Sequence, residues 1–205
     1  MSSRTNGIRA LAARLIRSKR ALGAVEFALT APFLILIYVG SYQLMDAISA
    51  YRKVTVTARS LADLATQNET TTPAYVQEIL NGSRQVMTPY STASAGLVIA
   101  QIAIDHNGTP SLVWVCVNGA TPLCSTSNPK LKITDIDLPN DLKVPDTFTM
   151  YSQIVFNYTP AVASSLIGPI TFSDHIFMNP RRSPSVCLNV GTDSTPDCLG
   201  QDASS

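Results

Sequence analysis

Hydrophobic and polar positions divide the chain into three regimes. Residues 1–20 are polar and basic. Residues 21–45 carry a single charge, Glu26, and the apolar run that follows it, residues 27–44, is 18 residues long. As a helix rising about 1.5 Å per residue, 21–45 reaches roughly 37 Å, enough for a hydrocarbon core of about 30 Å. The pattern therefore predicts a transmembrane helix. Beyond Met45 the pattern becomes periodic. Leu44, Ile48, Tyr51, Val54, Ala58, Leu61 and Ala65 recur at spacings of three and four, with Arg52, Lys53, Arg59 and Asp63 on the other side. That is an amphipathic helix continuing the span to about residue 66, on the order of 70 Å in all. Its stripe can pack on the protein's own domain or be shared with other subunits, along different turns. Pro32 lacks the N–H that would bond four residues back, so a kink near Ala28 is expected.

After a polar break at 68–72 the period shortens. Thr72-Pro73 caps a helix through about residue 86, with proline at its favoured first position. Strands are predicted at 96–105 and 111–118 around the turn His106-Asn107-Gly108-Thr109-Pro110. The prolines at 129, 139 and 145 make 130–144 turn-rich, with a short strand at 131–136. Residues 147–158 alternate, placing Phe148, Met150, Ser152, Ile154, Phe156 and Tyr158 on one face. A loop follows with a helical turn at 161–167, then a last strand at 170–178 and a polar tail from 183. The fold class is α+β: a single long N-terminal transmembrane/amphipathic helix packed on a small antiparallel β-sheet domain of three or four strands. The expected organisation is a basic leader (1–20), the span (21–45), its extension (46–67), an α+β domain (68–182) and the tail (183–205).

Charge orients this plan. The net charge is +1, but Arg4, Arg9, Arg14, Arg17, Lys19 and Arg20 all precede the span, leaving 9 basic against 14 acidic residues beyond them, a net of −5. A basic block abutting a span stays on the cytoplasmic side, so residues 46–205 are expected across the membrane. A nucleic-acid patch is not needed to explain the block, because anchoring beside a span accounts for it. An ordinary secretory signal cut near Ser49-Ala50 fits less well, since the apolar run exceeds the usual 7–15 residues. All four cysteines lie in the translocated part, where an oxidising compartment favours disulfides. Sequence neighbours are the expected partners, Cys116 with Cys124 and Cys187 with Cys198. The spacing lacks the Cys-x-x-Cys pairs or interleaved histidines of a zinc site, so neither metal nor cofactor is expected.

The residues around Glu26 carry a resemblance. Ala24-Val25-Glu26-Phe27-Ala28-Leu29, followed by Pro32 and preceded by a basic end, resembles the TadE-like pseudopilins of tight-adherence (Flp/Tad-type) pili. The resemblance is specific from residue 21 to about 65. The later Tyr158-Thr159-Pro160 and Pro180-Arg181 fit the family's closing segments. It implies a pilin-like helix and a Gly-x-x-x-x-Glu-Phe site cut by a membrane-embedded prepilin peptidase. Here the cut would fall between Ala21 and Leu22, with alanine where the family usually has glycine. It also implies that Glu26, with Phe27, serves assembly by meeting a neighbouring subunit's N-terminal amine. A carboxylate inside a bilayer costs about 2.5–3.5 kcal/mol, so such groups tend to be paired or functional; the plainer reading is that Glu26 snorkels or is protonated.

The expected function is a non-catalytic one: a minor pseudopilin or assembly factor of a type IV-like pilus, acting in cell adhesion. It would be a single-pass inner-membrane protein with a periplasmic C-terminal domain, retained there or incorporated in an extracellular pilus. Expected partners are the inner membrane, other pilin or pseudopilin subunits, the assembly machinery and the prepilin peptidase, with no nucleic acid. The alternative is an unprocessed, membrane-anchored periplasmic binding or sensing domain. Enzymatic activity has little support. His106 and His175 each follow an aspartate, but neighbours on a strand face opposite ways. The Asn-x-Ser/Thr sequons at Asn68, Asn81, Asn107 and Asn157 are no more than a Ser/Thr-rich chain yields by chance.

Overall fold

A computed structural model describes residues 19–91, 93, 95–118, 123–125, 131–162, 164, 168–190 and 198–199, excluding the side chains of 19–22, 123, 198 and 199. The apolar run and the amphipathic stripe form one helix, α1, Lys19–Thr66, 48 residues long. It passes through Pro32 without a break. The hydroxyls in its apolar stretch bond back to their own helix: Thr30 donates to the Glu26 carbonyl at 3.1 Å and Ser41 to that of Ile37 at 2.8 Å. Each hydroxyl is thereby satisfied within the helix itself.

The second helix, α2, Pro73–Gln85, follows a two-residue strand β1, Thr70–Thr71. Thr72 is extended at its N-cap and accepts from the Tyr75 amide at 3.2 Å, while Pro73 occupies a position whose N–H would have no partner. Val76, Ile79, Leu80 and Ser83, spaced by a helical period, are its buried face.

Five strands form the main sheet: β2 Gly96–Ile104, β3 Pro110–Val117, β4 Leu123–Ser125, β5 Thr147–Tyr158 and β6 Ile170–Met178. Their order is β4-β3-β2-β5-β6, every pairing antiparallel. The architecture is thus α+β, with five strands where three or four were expected. Cys116 and Cys124 sit opposite each other in the β3–β4 register and are disulfide-bonded. One sheet face packs on the second half of α1, where Ser152 Oγ donates to the Ala58 carbonyl at 2.9 Å. Val54, Leu61, Leu97, Ile99, Met150 and Ile154 fill the space between. The opposite face carries Ala100, Ile102, Val115 and Tyr151, covered by Leu131 and Ile136.

That cover corrects one expectation. Residues 131–136 form a single bridge at Leu131 and a 3-10 turn, Ile133–Asp135, instead of a strand. The Asp135 carboxylate accepts from the Lys132 amide at 3.0 Å, a local bond that competes with a sheet ladder. Nor is β6 the last strand. β7 Cys187–Asn189 pairs parallel with β1, and β8 Cys198–Leu199 pairs antiparallel with β7 in a second, three-stranded sheet. Val186 and Leu188 are fully buried, so part of the segment read as a polar tail belongs to the core. Gln101 Oε1 ties it there, accepting from Trp114 Nε1 at 3.0 Å and from the Val186 amide at 3.1 Å. Trp114 Nε1 also donates to the Val186 carbonyl at 3.0 Å. The helical turn expected at 161–167 lies largely outside the described residues.

Candidate functional site

The two halves of α1 meet different surroundings. From Ala47 on, the helix turns Ala50, Val54, Ala58, Leu61 and Ala65 into the domain, and Val54 and Leu61 have no exposed surface at all. Towards the N-terminus most of its side chains are exposed. Phe27 is 68% exposed, Ile35 62% and Tyr38 76%. Leu44, Ile48 and Tyr51, the first members of the amphipathic stripe, are also exposed. The stripe is therefore shared out: the later turns belong to the domain and the earlier ones are bare. Monomeric soluble proteins rarely expose contiguous apolar patches of more than a few hundred Å². This helix is long and apolar enough to cross a membrane.

The residues predicted around the leader sit at the start of this bare half. Ala21 and Leu22 are helical, but their side chains lie outside the described residues. Glu26 and Phe27 are exposed, and Glu26 makes no ion pair with a described residue. The structure thus brings Glu26 to no other part of the described chain. Both predicted cystine pairs lie far from it in the domain. Cys187 is disulfide-bonded, and the side chain of its expected partner, Cys198, lies outside the described residues.

A second set of residues marks the point where the bare half ends, and sequence reasoning missed most of it. Asp46 is half-buried, and both of its carboxylate oxygens are held. Tyr90 Oη donates to Oδ1 at 2.8 Å and lies 3.1 Å from the Asp46 carbonyl, while Tyr158 Oη donates to Oδ2 at 2.5 Å. The tyrosine rings meet edge-on at 6.1 Å, and Tyr158 stacks on Phe172 at 5.7 Å. Burial, and after it the Asp46 carboxylate, pushes the Tyr90 hydroxyl up to about 12 and that of Tyr158 further up. Both hydroxyls therefore stay protonated, as donors must. Tyr90 comes from the turn after α2 and Tyr158 from the end of β5, so the domain grips the helix from two directions.

One turn nearer the N-terminus, an apolar groove of about 380 Å³ opens between α1 and the domain, lined by Leu36, Val39, Gly40 and Gln43 on one side and Tyr158, Pro160 and Ile170 on the other. Gln43 is buried, and its Nε2 donates to the Val162 carbonyl. Its Oε1 has no partner among the described residues. At the far end of the domain, Arg181 bonds Asp63 at 2.6 Å and its amide reaches the Thr66 carbonyl at 3.2 Å. Tyr158, Pro160 and Arg181 were legible as closing segments, but their contacts with the helix were not. Asp46, the first acid after the apolar run, was the available signal.

The histidines stand apart from all of this. His106 is exposed in the β2–β3 turn, and His175 packs on Tyr151 and Phe177. The Asp174 carboxylate accepts from the His175 backbone amide at 2.9 Å, not from its ring. Among the described residues no group of three or more His, Cys, Asp or Glu is placed to hold a metal. Compared with family models, curated proteins and solved structures, the chain matches none.

Proposed function

We propose that this protein is a membrane-anchored subunit that acts through helix–helix packing, a minor pseudopilin or assembly factor of a tight-adherence pilus. The observation that carries the reading is the division of α1, whose second half is the spine of a folded domain while its first half is apolar and bare. A bilayer covers such a surface before assembly and neighbouring helices cover it afterwards. Glu26 supports the reading because it is the lone acid of that surface, four residues from Leu22 and hence on the same helix face. A cut between Ala21 and Leu22 would place the new amine beside it, and a neighbouring subunit's amine could take that role in the filament. In this reading residues 1–20 stay cytoplasmic and the domain is periplasmic.

The test is the mature N-terminus of protein taken from native membranes, expected at Leu22. Ala21→Phe should block the cut by enlarging the residue before it. Glu26→Gln should insert normally, since losing a charge eases burial, yet assemble fewer pili. A specific observation favours a second reading: alanine, not glycine, precedes the site. An intact N-terminus together with pili indifferent to Glu26→Gln would establish an unprocessed anchored binding or sensing domain instead.

A further inference from the structure

The two ends of the domain differ in charge. Strand register puts Tyr158 and Ile170, where β5 gives way to β6, at the end nearest Asp46, together with the start of β2. The β2–β3 turn, the start of β5 and Arg181 lie at the other end, towards Thr66. Residues 85–96, which bring Tyr90 to the near end, hold no charge, and neither do 147–173, which contain the β5–β6 loop. The far end carries Asp105, Asp146, Arg181 and Arg182. The near end also overlaps the apolar run of α1. A hydrocarbon core of about 30 Å takes about 20 helical residues. Counted from Arg20 these end at Gly40, and counted from Glu26 they end at Asp46. Either count keeps Leu36, Val39 and Gly40 inside the core on the membrane-anchored reading, on which this inference rests. Pro160 and Ile170 stand opposite those three residues, level with the end of the hydrocarbon. Tyr38 and Tyr42, both exposed, fall at the same level, where amphipathic rings collect at the headgroups.

Irregular backbone at that depth needs partners from the protein itself. The β5–β6 loop has them. Gln43, buried on α1, donates its Nε2 to the Val162 carbonyl, and the Gly168 amide donates to the Ser164 carbonyl at 3.0 Å. The side chains nevertheless face outward: Val162 is 45% exposed, and Ala161 and Pro169 are exposed as well. We propose that this loop is a second membrane contact, with Ala161 and Val162 resting in the headgroup–acyl boundary of the bilayer that α1 crosses. Lipid is the occupant because the loop continues the surface of the span at the depth of the span's own end, and because no charge there has to be dehydrated. A single helix leaves the molecule free to tilt and turn in the bilayer. Helix and loop together set the domain on the membrane in one orientation.

The experiment places the full chain in phosphatidylethanolamine–phosphatidylglycerol vesicles and compares Val162→Trp with Val144→Trp, the same exchange at an exposed valine of the far end. Trp114, fully buried, is a constant background in both. Lipid spin-labelled high on the acyl chain should quench Val162→Trp at least about twofold more than Val144→Trp, and aqueous iodide should do the reverse. Ala161→Trp is a second probe on the same turn and should follow Val162→Trp, which keeps the test open if one variant misfolds. Wild type that does not float with the vesicles overturns the anchored reading and this proposal with it. Wild type that floats, while the introduced tryptophans are all quenched by iodide and none by lipid, overturns the proposal alone, since the domain then stands clear of the bilayer. Tryptophans at 161 and 162 shielded from both quenchers, and opened to iodide when the chains are diluted to one per vesicle, overturn it too, because the cover would then be a second copy.

Discussion

Tyr158→Phe isolates the grip of the domain on the helix. The substitution deletes one oxygen and leaves the ring, so the contacts with Tyr90 and Phe172 persist. What is lost is the bond to Asp46 Oδ2. Hydrogen bonds to charged groups contribute about 1.5–3 kcal/mol. Asp46 is only half-buried and keeps Tyr90 on its other oxygen, so water can partly replace the lost donor. That places the expected cost at the low end, about 1–2 kcal/mol. Tyr158→Ala would remove the ring as well and cost more, about 3–5 kcal/mol, as a large aromatic deletion does. Trp114 is the sole tryptophan and is fully buried in the same core, so its fluorescence reports domain unfolding in urea with the full chain held in micelles. A double-mutant cycle with Asp46→Ala separates the bond from unrelated effects, and a coupling of at least about 0.5 kcal/mol is expected for groups in direct contact. Coupling indistinguishable from zero, with Tyr158→Phe as stable as wild type, would refute the latch.

Three further outcomes follow from the same geometry. Tyr90, Tyr151 and Tyr158 all have hydroxyls raised above the ordinary value of about 10, chiefly by burial, to about 12 for the first two. The unfolded chain gives up these protons first, so the stability is whole below about pH 10 and declines as pH rises towards 12; a urea midpoint that stays flat over this range would contradict it. Reducing the Cys116–Cys124 bond, which closes a loop of sequence separation 8, should lower stability by roughly 2–3 kcal/mol. Alkylation of denatured, unreduced protein should label none of the four cysteines, and a labelled Cys116 would count against the pairing. Reporter fusions after Ser205 should be active only outside the cytoplasm, and cytoplasmic activity would reverse the proposed orientation.

Much of the architecture was legible because single residues report it strongly. A run of 18 residues after Glu26 with no charge has few fates, and Thr72-Pro73 is a helix start on chemical grounds alone. The long β-strands follow from alternation, β5 most clearly. The elements that escaped notice are short or locally anomalous. β7 is three residues in a polar context, and its burial depends on Gln101 and Trp114, far away in sequence. Leu131 and Ile136 read as a strand because burial, not periodicity, makes them apolar. The Asp46 latch was illegible for a related reason. Its partners lie 44 and 112 residues away, and only the packing of three elements brings them together.

The latch and the distal tie divide the labour of holding α1. Arg181 is exposed and Asp63 partly so, and such a surface ion pair is worth at most about 1 kcal/mol, so the distal tie depends more on the Arg181 amide bonded to Thr66. Asp46 and Asp63 are 17 residues apart, about 25 Å along a helix. Between them the sheet packs on α1 through Val54, Ala58 and Leu61, side chains with no freedom to slide without opening cavities. A helix held at both ends and packed along its middle cannot rotate against its domain. The direction in which the bare half presents Glu26, Phe27 and Gly40 is therefore fixed by the domain's orientation. Any neighbour that packs on those residues thereby sets where the domain points, which is the coupling that a subunit working through its helix needs.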